Sequence, residues 1–208
     1  MHAPAGYVCP FCAFLEGTHD DHNLPTDVVA VTERAYARIA PKWWPGNPGA
    51  VLVIARTHVE NIYDLSPSDS AAVWDLTQRV AIGIRSSYGC EGTSIRQHNE
   101  PAGGQDVWHL HVHVFPRHPD DRLYQRHDDA EWVDPAHRQA FATRLRTALG
   151  MPFQLNLTPV RPESIARMAR WLPQAAAPLV SSSSAAMRHR GRRPRQRRCA
   201  QRWAQASL

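Results

Sequence analysis

Residues 107–117 read VWHLHVHVFPR, with His109, His111 and His113 at every second position and Leu110, Val112 and Val114 between them. Alternation at period two is what a β-strand requires, because successive side chains point to opposite faces of a sheet. The aliphatic face can enter a core. The imidazoles then share the other face, ~6–7 Å apart between next neighbours from the rise per residue. Imidazoles are poor core fillers and costly to bury unpaired. The row is therefore expected to face a solvent-connected cleft or a bound anion.

The surrounding pattern supplies the partners of that strand. Residues 28–39 and 50–56 are apolar and β-branched enough for strands, and APKWWPGNPG between them reads as a turn or loop. SPSDSAAVWDLTQRVAIGIRSSYG then opens as a helix, with Ser66 as N-cap, Pro67 in the first turn and a stripe of Val73, Leu76, Val80 and Ile84. TSIRQHN, residues 93–99, is strand-like and is joined to the histidine strand by EPAGGQD; residues 135–149 look helical and end at Gly150. Consecutive strands on either side of a tight loop argue for an antiparallel sheet with helices on one face, an α+β architecture.

Charge divides the chain into two parts. Residues 1–150 carry 13 Arg and Lys against 18 Asp and Glu, a net −5, whereas residues 151–208 carry 11 Arg against one Glu, a net +10. The expected organisation is one domain over 1–150 and a Pro/Ser/Arg-rich extension over 151–208 that is too cationic to bury itself and should stay largely disordered. No apolar run approaches the ~18 residues needed to cross a bilayer. The start of the chain lacks a basic region followed by an apolar stretch, so a cytoplasmic location without membrane contact is expected.

Two groups of residues could carry chemistry beside the histidine row. Cys9-Pro10-Phe11-Cys12 has the spacing that lets two thiolates grip one tetrahedral Zn²⁺, with His58 and His109 as candidates for the other two ligands. A satisfied thiol pair is the alternative. EPAGGQD offers consecutive glycines whose amides can approach a phosphate, with Asn99 and Gln105 as neutral donors. A neutral imidazole can attack phosphorus and later leave as a good leaving group. Only His111 has a histidine on both sides, which makes it the candidate nucleophile. Trp43 and Trp44 could stack on a base or simply pack. His98 reads as a strand-end surface histidine.

HLHVHVFPR resembles the motif of the histidine-triad (HIT) superfamily of nucleotide hydrolases and transferases. The similarity extends to NPGAVLVIARTHVENIYDL and RQHNEPAGGQDVWHLHVHVFPR, and CPFC matches the zinc-binding bacterial subset, so that residues 7–150 are covered in the expected order. The resemblance implies a HIT-like fold that forms a homodimer. It implies a covalent nucleotidyl intermediate on His111, with His113 touching phosphate or steadying the nucleophile. It sets Asn99, Gly104, Gln105 and Asp106 along the phosphates, and assigns Cys9, Cys12, His58 and His109 to a structural Zn²⁺. The sugar-phosphate transferase branch has a Gln at the third triad position, so His113 favours hydrolysis. The chain departs from many relatives at Gly49-Ala50, where they have Gly-His or Gly-Thr, and at Asp106, where they often carry a hydroxyl residue.

The leading expectation is a hydrolase cleaving at the α-phosphate of nucleoside phosphoramidates, mixed nucleotide anhydrides or dinucleoside polyphosphates. A nucleotidyl transferase or phosphorylase on the same scaffold is one alternative. Another is a nucleotide- or nucleic-acid-binding protein with little turnover, in which the Arg-rich tail contacts phosphates.

Overall fold

A computed structural model describes residues 2–151 of the chain. The expected tail over 151–208 lies outside the described residues but for Met151. Five strands, β1 (Val28–Val31), β2 (Ala35–Ile39), β4 (Val51–Ala55), β5 (Gly92–Gln97) and β6 (His111–Arg117), form an antiparallel sheet in the order β1-β2-β4-β6-β5. Two-residue strands β3 (Lys42–Trp43) and β7 (Glu131–Trp132) pair with each other beside it. The helices are α1 (Pro10–Leu15), α2 (Pro67–Ser87) and α3 (Pro135–Leu149).

The α2 helix forms for the reasons its sequence suggests. The Ser66 hydroxyl accepts from the Asp69 amide at 3.1 Å, Pro67 occupies the first turn, and Val73, Leu76, Val80 and Ile84 are at most 1% exposed. The helix packs on the central strands β2, β4 and β6, and α3 packs on α2 and β1. Gly150 ends α3 in the left-handed conformation, φ 63°.

Residues 28–39 are not one strand but a hairpin. The Thr32 hydroxyl donates to the Ala35 carbonyl at 2.9 Å and accepts from its amide at 3.0 Å, closing a turn through Glu33 and Arg34. A side-chain hydroxyl does here what Gly or Asn does in most hairpins, so the turn has no residue signature. The connection read as a loop over 40–49 contains β3. In the same stretch Gly49 has φ +82°, and a Cβ there would sit 2.3 Å from the Phe141 ring. That position takes glycine on both counts.

The sheet has two differently used faces. Cross-strand partners share a face, so Arg38, Leu52, His113 and Arg96 form one row across it, with Tyr36, Ile54 and His111 in the next. This is the face that α1 covers, Phe14 stacking on Tyr36 at 5.8 Å and Phe11 packing against His111. Beside it, the buried Asp27 carboxylate accepts from both Arg38 (2.9 Å) and Arg138 (2.9 and 3.2 Å), all three fully enclosed. The two guanidinium groups also donate to the His22 and Asp21 carbonyls and to the Asn23 side chain. They thereby pin the segment 21–23 to the sheet.

Candidate active site and metal centre

The triad histidines do not all lie in the strand. β6 begins at His111; before it the chain bends, the His109 amide donating to Val107 O and the Leu110 amide to Val59 O. The bend turns the His109 side chain away from the row and into a cluster with Cys9, Cys12 and His58. The four donor atoms lie within 4.8 Å of one another. Cys9 Sγ is 3.3 Å and Cys12 Sγ 3.6 Å from His109 Nδ1, Cys12 Sγ is 3.2 Å from His58 Nδ1, and the two Nδ1 atoms are 3.1 Å apart.

This donor set fits a tetrahedral soft-to-borderline cation. Ordinary Zn–N and Zn–S lengths give tetrahedron edges of ~3.3 Å between nitrogens and ~3.6 Å between nitrogen and sulfur, close to the separations present. His109 Nε2 is 2.8 Å from the Ala55 carbonyl, which can only accept. The ring proton is therefore on Nε2 and the Nδ1 lone pair points into the cluster, the outer hydrogen bond of a typical metal-ligating histidine. Within the thiol pair, the Cys12 thiol donates to Cys9 and pulls the Cys9 pKa down, while that bond and burial push Cys12 up.

His111 is oriented by the same residue that supplies the fourth donor. Its Nδ1 lies 2.8 Å from the His109 backbone carbonyl, so Nδ1 carries the proton and Nε2 the lone pair. Burial holds His111 below the usual imidazole range, and its hydrogen bond to the His109 backbone carbonyl and the charge of Asp106 oppose that in part. Burial thus favours the neutral imidazole at His111. The His113 ring is 4.9 Å from that of His111 and stacks on Phe115 at 5.6 Å. Burial and its histidine and arginine neighbours hold it well below the imidazole range.

A cavity of about 270 Å³ opens beside these two rings. His111, His113, Phe11, Trp44, Phe115 and Trp132 supply much of its lining, with Lys42, His22, Asn23 and Asp106 adding polar groups. Of the adjacent tryptophans, Trp44 reaches the cavity, whereas Trp43 is buried, bonded to the Ala40 carbonyl at 2.7 Å and packed on Phe141.

The loop between β5 and β6 uses its polar side chains on itself and on the segment 60–62. Gln105 accepts from the Glu100 amide at 2.8 Å and donates to the Glu60 and Val107 carbonyls. Asn99 accepts from the Ile62 amide at 2.9 Å and bonds to Gln97. Both residues therefore shape the loop, around Glu100 at φ 62° and Gly104 at φ 80°. Asp106 is exposed at the loop's end. His98 differs from its reading as a surface residue. It is part-buried, its ring lies 5.7 Å from His113, and its Nδ1 is enclosed with no partner among the described residues. Strand alternation could have flagged it, since His98 and Arg96 share a face.

A five-stranded antiparallel sheet with helices packed on it, carrying a histidine row beside a Cys2His2 cluster, defines a histidine-triad domain. The family model described as HIT domain matches residues 22–120. A Zn-bound histidine triad family protein from Mycobacterium smegmatis is 29% identical with a TM-score of 0.56, the match covering 68% of this chain and 93% of that one. An uncharacterized HIT-like protein of Saccharolobus solfataricus is 28% identical over 109 residues, 52% of this chain and 73% of the relative. A bifunctional bis(5′-adenosyl)-triphosphatase/adenylylsulfatase of Arabidopsis thaliana is 27% identical over 112 residues, 51% of this chain and 61% of the relative. Residues 22–120 of the chain thus match the HIT domain, and the relatives named here share it.

Proposed function

We propose that the protein is a nucleotidyl hydrolase that cleaves at an α-phosphate through a covalent adduct on His111. The observation that carries this reading is the hydrogen bond from His111 Nδ1 to the His109 carbonyl, which leaves the Nε2 lone pair on a residue lining the cavity. In the reaction, Nε2 attacks the α-phosphorus as the bond to the leaving group breaks, and water then cleaves the phosphorus–nitrogen bond to release a nucleoside monophosphate. His113 and His98 are the groups next along the row to meet phosphate oxygens. The HIT domain and the kinship to a named bis(5′-adenosyl)-triphosphatase support nucleotide substrates.

Cys9, Cys12, His58 and His109 would hold Zn²⁺. Four protein ligands close the coordination shell, so the ion supplies structure and no activated water. It would tie the N-terminal knuckle to the start of β6.

A homodimer is part of the same reading. Its support is the open edge at β5 and a groove of about 560 Å³ beside it, where Trp74, Ile82 and Ile95 are 42%, 62% and 44% exposed. Pairing of β5 with its own copy about a twofold axis would close both. Among the described residues no helix is long and apolar enough to cross a membrane. The Arg-rich tail suggested for nucleic-acid contact lies outside them.

The test is AMP release from adenosine phosphoramidate and from diadenosine tri- and tetraphosphate, with His111→Ala run in parallel. Wild type quenched in alkaline denaturant, where the phosphorus–nitrogen bond survives, should also carry the mass of one adenylate, and His111→Ala none. Turnover that survives in His111→Ala would overturn the assignment. Binding of AMP without turnover of any substrate would favour a nucleotide-binding role.

A further inference from the structure

Arg96 stands next to the third triad histidine and, among the described residues, has no acid to neutralise it. It is the cross-strand partner of His113, so the two side chains start from adjacent points on one face. Its guanidinium carbon lies 4.6 Å from the Phe115 ring centre, 5.4 Å from that of Tyr124 and 5.6 Å from that of Trp44. Its Nε is enclosed with no hydrogen-bond partner, and among the described residues no carboxylate lies within ion-pair distance.

The contrast with its neighbours is informative. Arg117 on the next strand is held by two bonds to Asp121, at 2.6 and 2.7 Å, and Arg38 is matched by Asp27. Arg96 is instead held by aromatic faces, which fix the plane of the fork and attract the cation but supply no counter-charge to neutralise it. Phe115 and Trp44 also line the cavity beside His111, and Tyr124 is 57% exposed on the far side of Arg96. The charge therefore sits past His113, at the end of the row away from the metal cluster. An arginine left unneutralised in that position is built to meet an anion.

We propose that Arg96 anchors a second anion subsite that receives the leaving group, so that phosphoanhydride substrates, whose leaving group is itself a phosphate or polyphosphate, are preferred over phosphoramidates. This rests on the hydrolase reading for its chemistry. As His111 Nε2 bonds to the α-phosphorus, the bond from that phosphorus to the bridging oxygen breaks and the electron pair leaves on the β-phosphate. Arg96 offsets the charge that develops there. An amine takes up a proton and departs neutral, so it gains little from a cation. Water then splits the phosphorus–nitrogen bond, gives its proton to solvent and restores the neutral imidazole.

The experiment compares kcat/KM for diadenosine tetraphosphate and adenosine phosphoramidate in wild type, Arg96→Gln and Arg96→Lys. The ratio of the first to the second should fall about 10- to 100-fold in Arg96→Gln, the usual scale for losing a charge-assisted hydrogen bond. Arg96→Lys, which keeps the charge and loses the fork, should recover part of it. A ratio that does not change, whether both rates fall together or neither falls, overturns the proposal. Calorimetry with inorganic tripolyphosphate reads the subsite without turnover. Wild type should bind it and Arg96→Gln should bind at least about tenfold more weakly; equal binding overturns the proposal. If wild type turns over neither nucleotide yet tripolyphosphate binding still depends on Arg96, the hydrolase reading fails and the anion subsite stands.

Discussion

Asp27→Asn should be one of the most damaging single substitutions in the domain, although it removes no apolar contact. One fully enclosed carboxylate serves two fully enclosed guanidinium groups, taking Arg138 on one oxygen and sharing the other between Arg38 and Arg138. An asparagine keeps the shape but deletes the only negative charge among the three. Its amide nitrogen, a donor, would also face an arginine donor whichever way it turned. Breaking a buried pair from one side costs about 3–5 kcal/mol, because the stranded charge keeps its desolvation penalty. That is a large share of the ~5–15 kcal/mol total of a typical domain, and at ~2–4 °C per kcal/mol it lowers the melting temperature by roughly 6–20 °C. Arg138→Met is the internal control. It leaves Asp27 and Arg38 as a matched pair and should cost clearly less than Asp27→Asn. Urea unfolding followed by tryptophan fluorescence measures both, with the slope unchanged and the midpoint shifted. A loss below about 1 kcal/mol for Asp27→Asn, or a larger loss for Arg138→Met, would refute the view that one carboxylate is balancing two buried charges.

Cys12→Ser should lower bound zinc well below one equivalent by elemental analysis and lower the melting temperature, while activity measured well below that temperature falls much less. Phe11, which meets the His109 and His111 rings edge-on at 5.6 and 5.3 Å, should matter for chemistry. Phe11→Leu is expected to cut kcat about tenfold with the fold intact by circular dichroism, within the ~100-fold that an ångström of misplacement can cost. Asp121 is held far below the ordinary carboxylate range by the hydrogen bonds from Arg117. A depressed folded pKa stabilises above the unfolded value of ~3.9 and is lost as pH falls below it, so Asp121→Asn should flatten the acid limb of a stability–pH curve below pH ~4. Ile82→Asp should convert a dimer to a monomer in sedimentation; wild type that is monomeric at tens of micromolar would remove the dimer from the reading.

The parts of this structure that were legible in the sequence are those set by neighbours along the chain. The α2 helix is written in Ser66, Pro67 and four apolar residues at helical spacing, and Gly150 marks the end of α3. The alternation of His111 and His113 with Val112 and Val114 announces a strand face, although the pattern wrongly includes His109, and CPFC announces a pair of thiols. What stayed hidden depends on partners far away or on geometry without a residue signature. The hairpin at 32–35 turns on a threonine hydroxyl. The helix around CPFC is six residues with no side-chain cap, too short for periodicity to register. Arg38 looks like an outward-facing strand residue until Asp27 and Arg138, the latter 100 positions along the chain, are seen to enclose it. Arg96 and His98 acquire meaning only from strand register, which puts them beside His113.

The least local of these features is also the one that joins the Cys2His2 cluster to His111. A strand running unbroken from His109 would have kept three imidazoles equivalent on one face. Starting β6 two residues later makes them unequal. The side chain of His109 goes to the thiols while its carbonyl, left in the bend, accepts the His111 proton. Its ring is fixed from behind by the Ala55 carbonyl at the end of β4, and its backbone by the Val59–Leu110 bond. One residue therefore serves two ends: its Nδ1 joins the Cys2His2 cluster that would hold the metal, and its oxygen sets the tautomer of His111, the proposed nucleophile. Losing the metal should act on catalysis only through the position of that carbonyl, so its effect should be small wherever β4 and Phe11 still hold the bend. A Cys12→Ser protein whose adenylation rate falls as far as that of His111→Ala would show instead that the ion itself sustains the nucleophile.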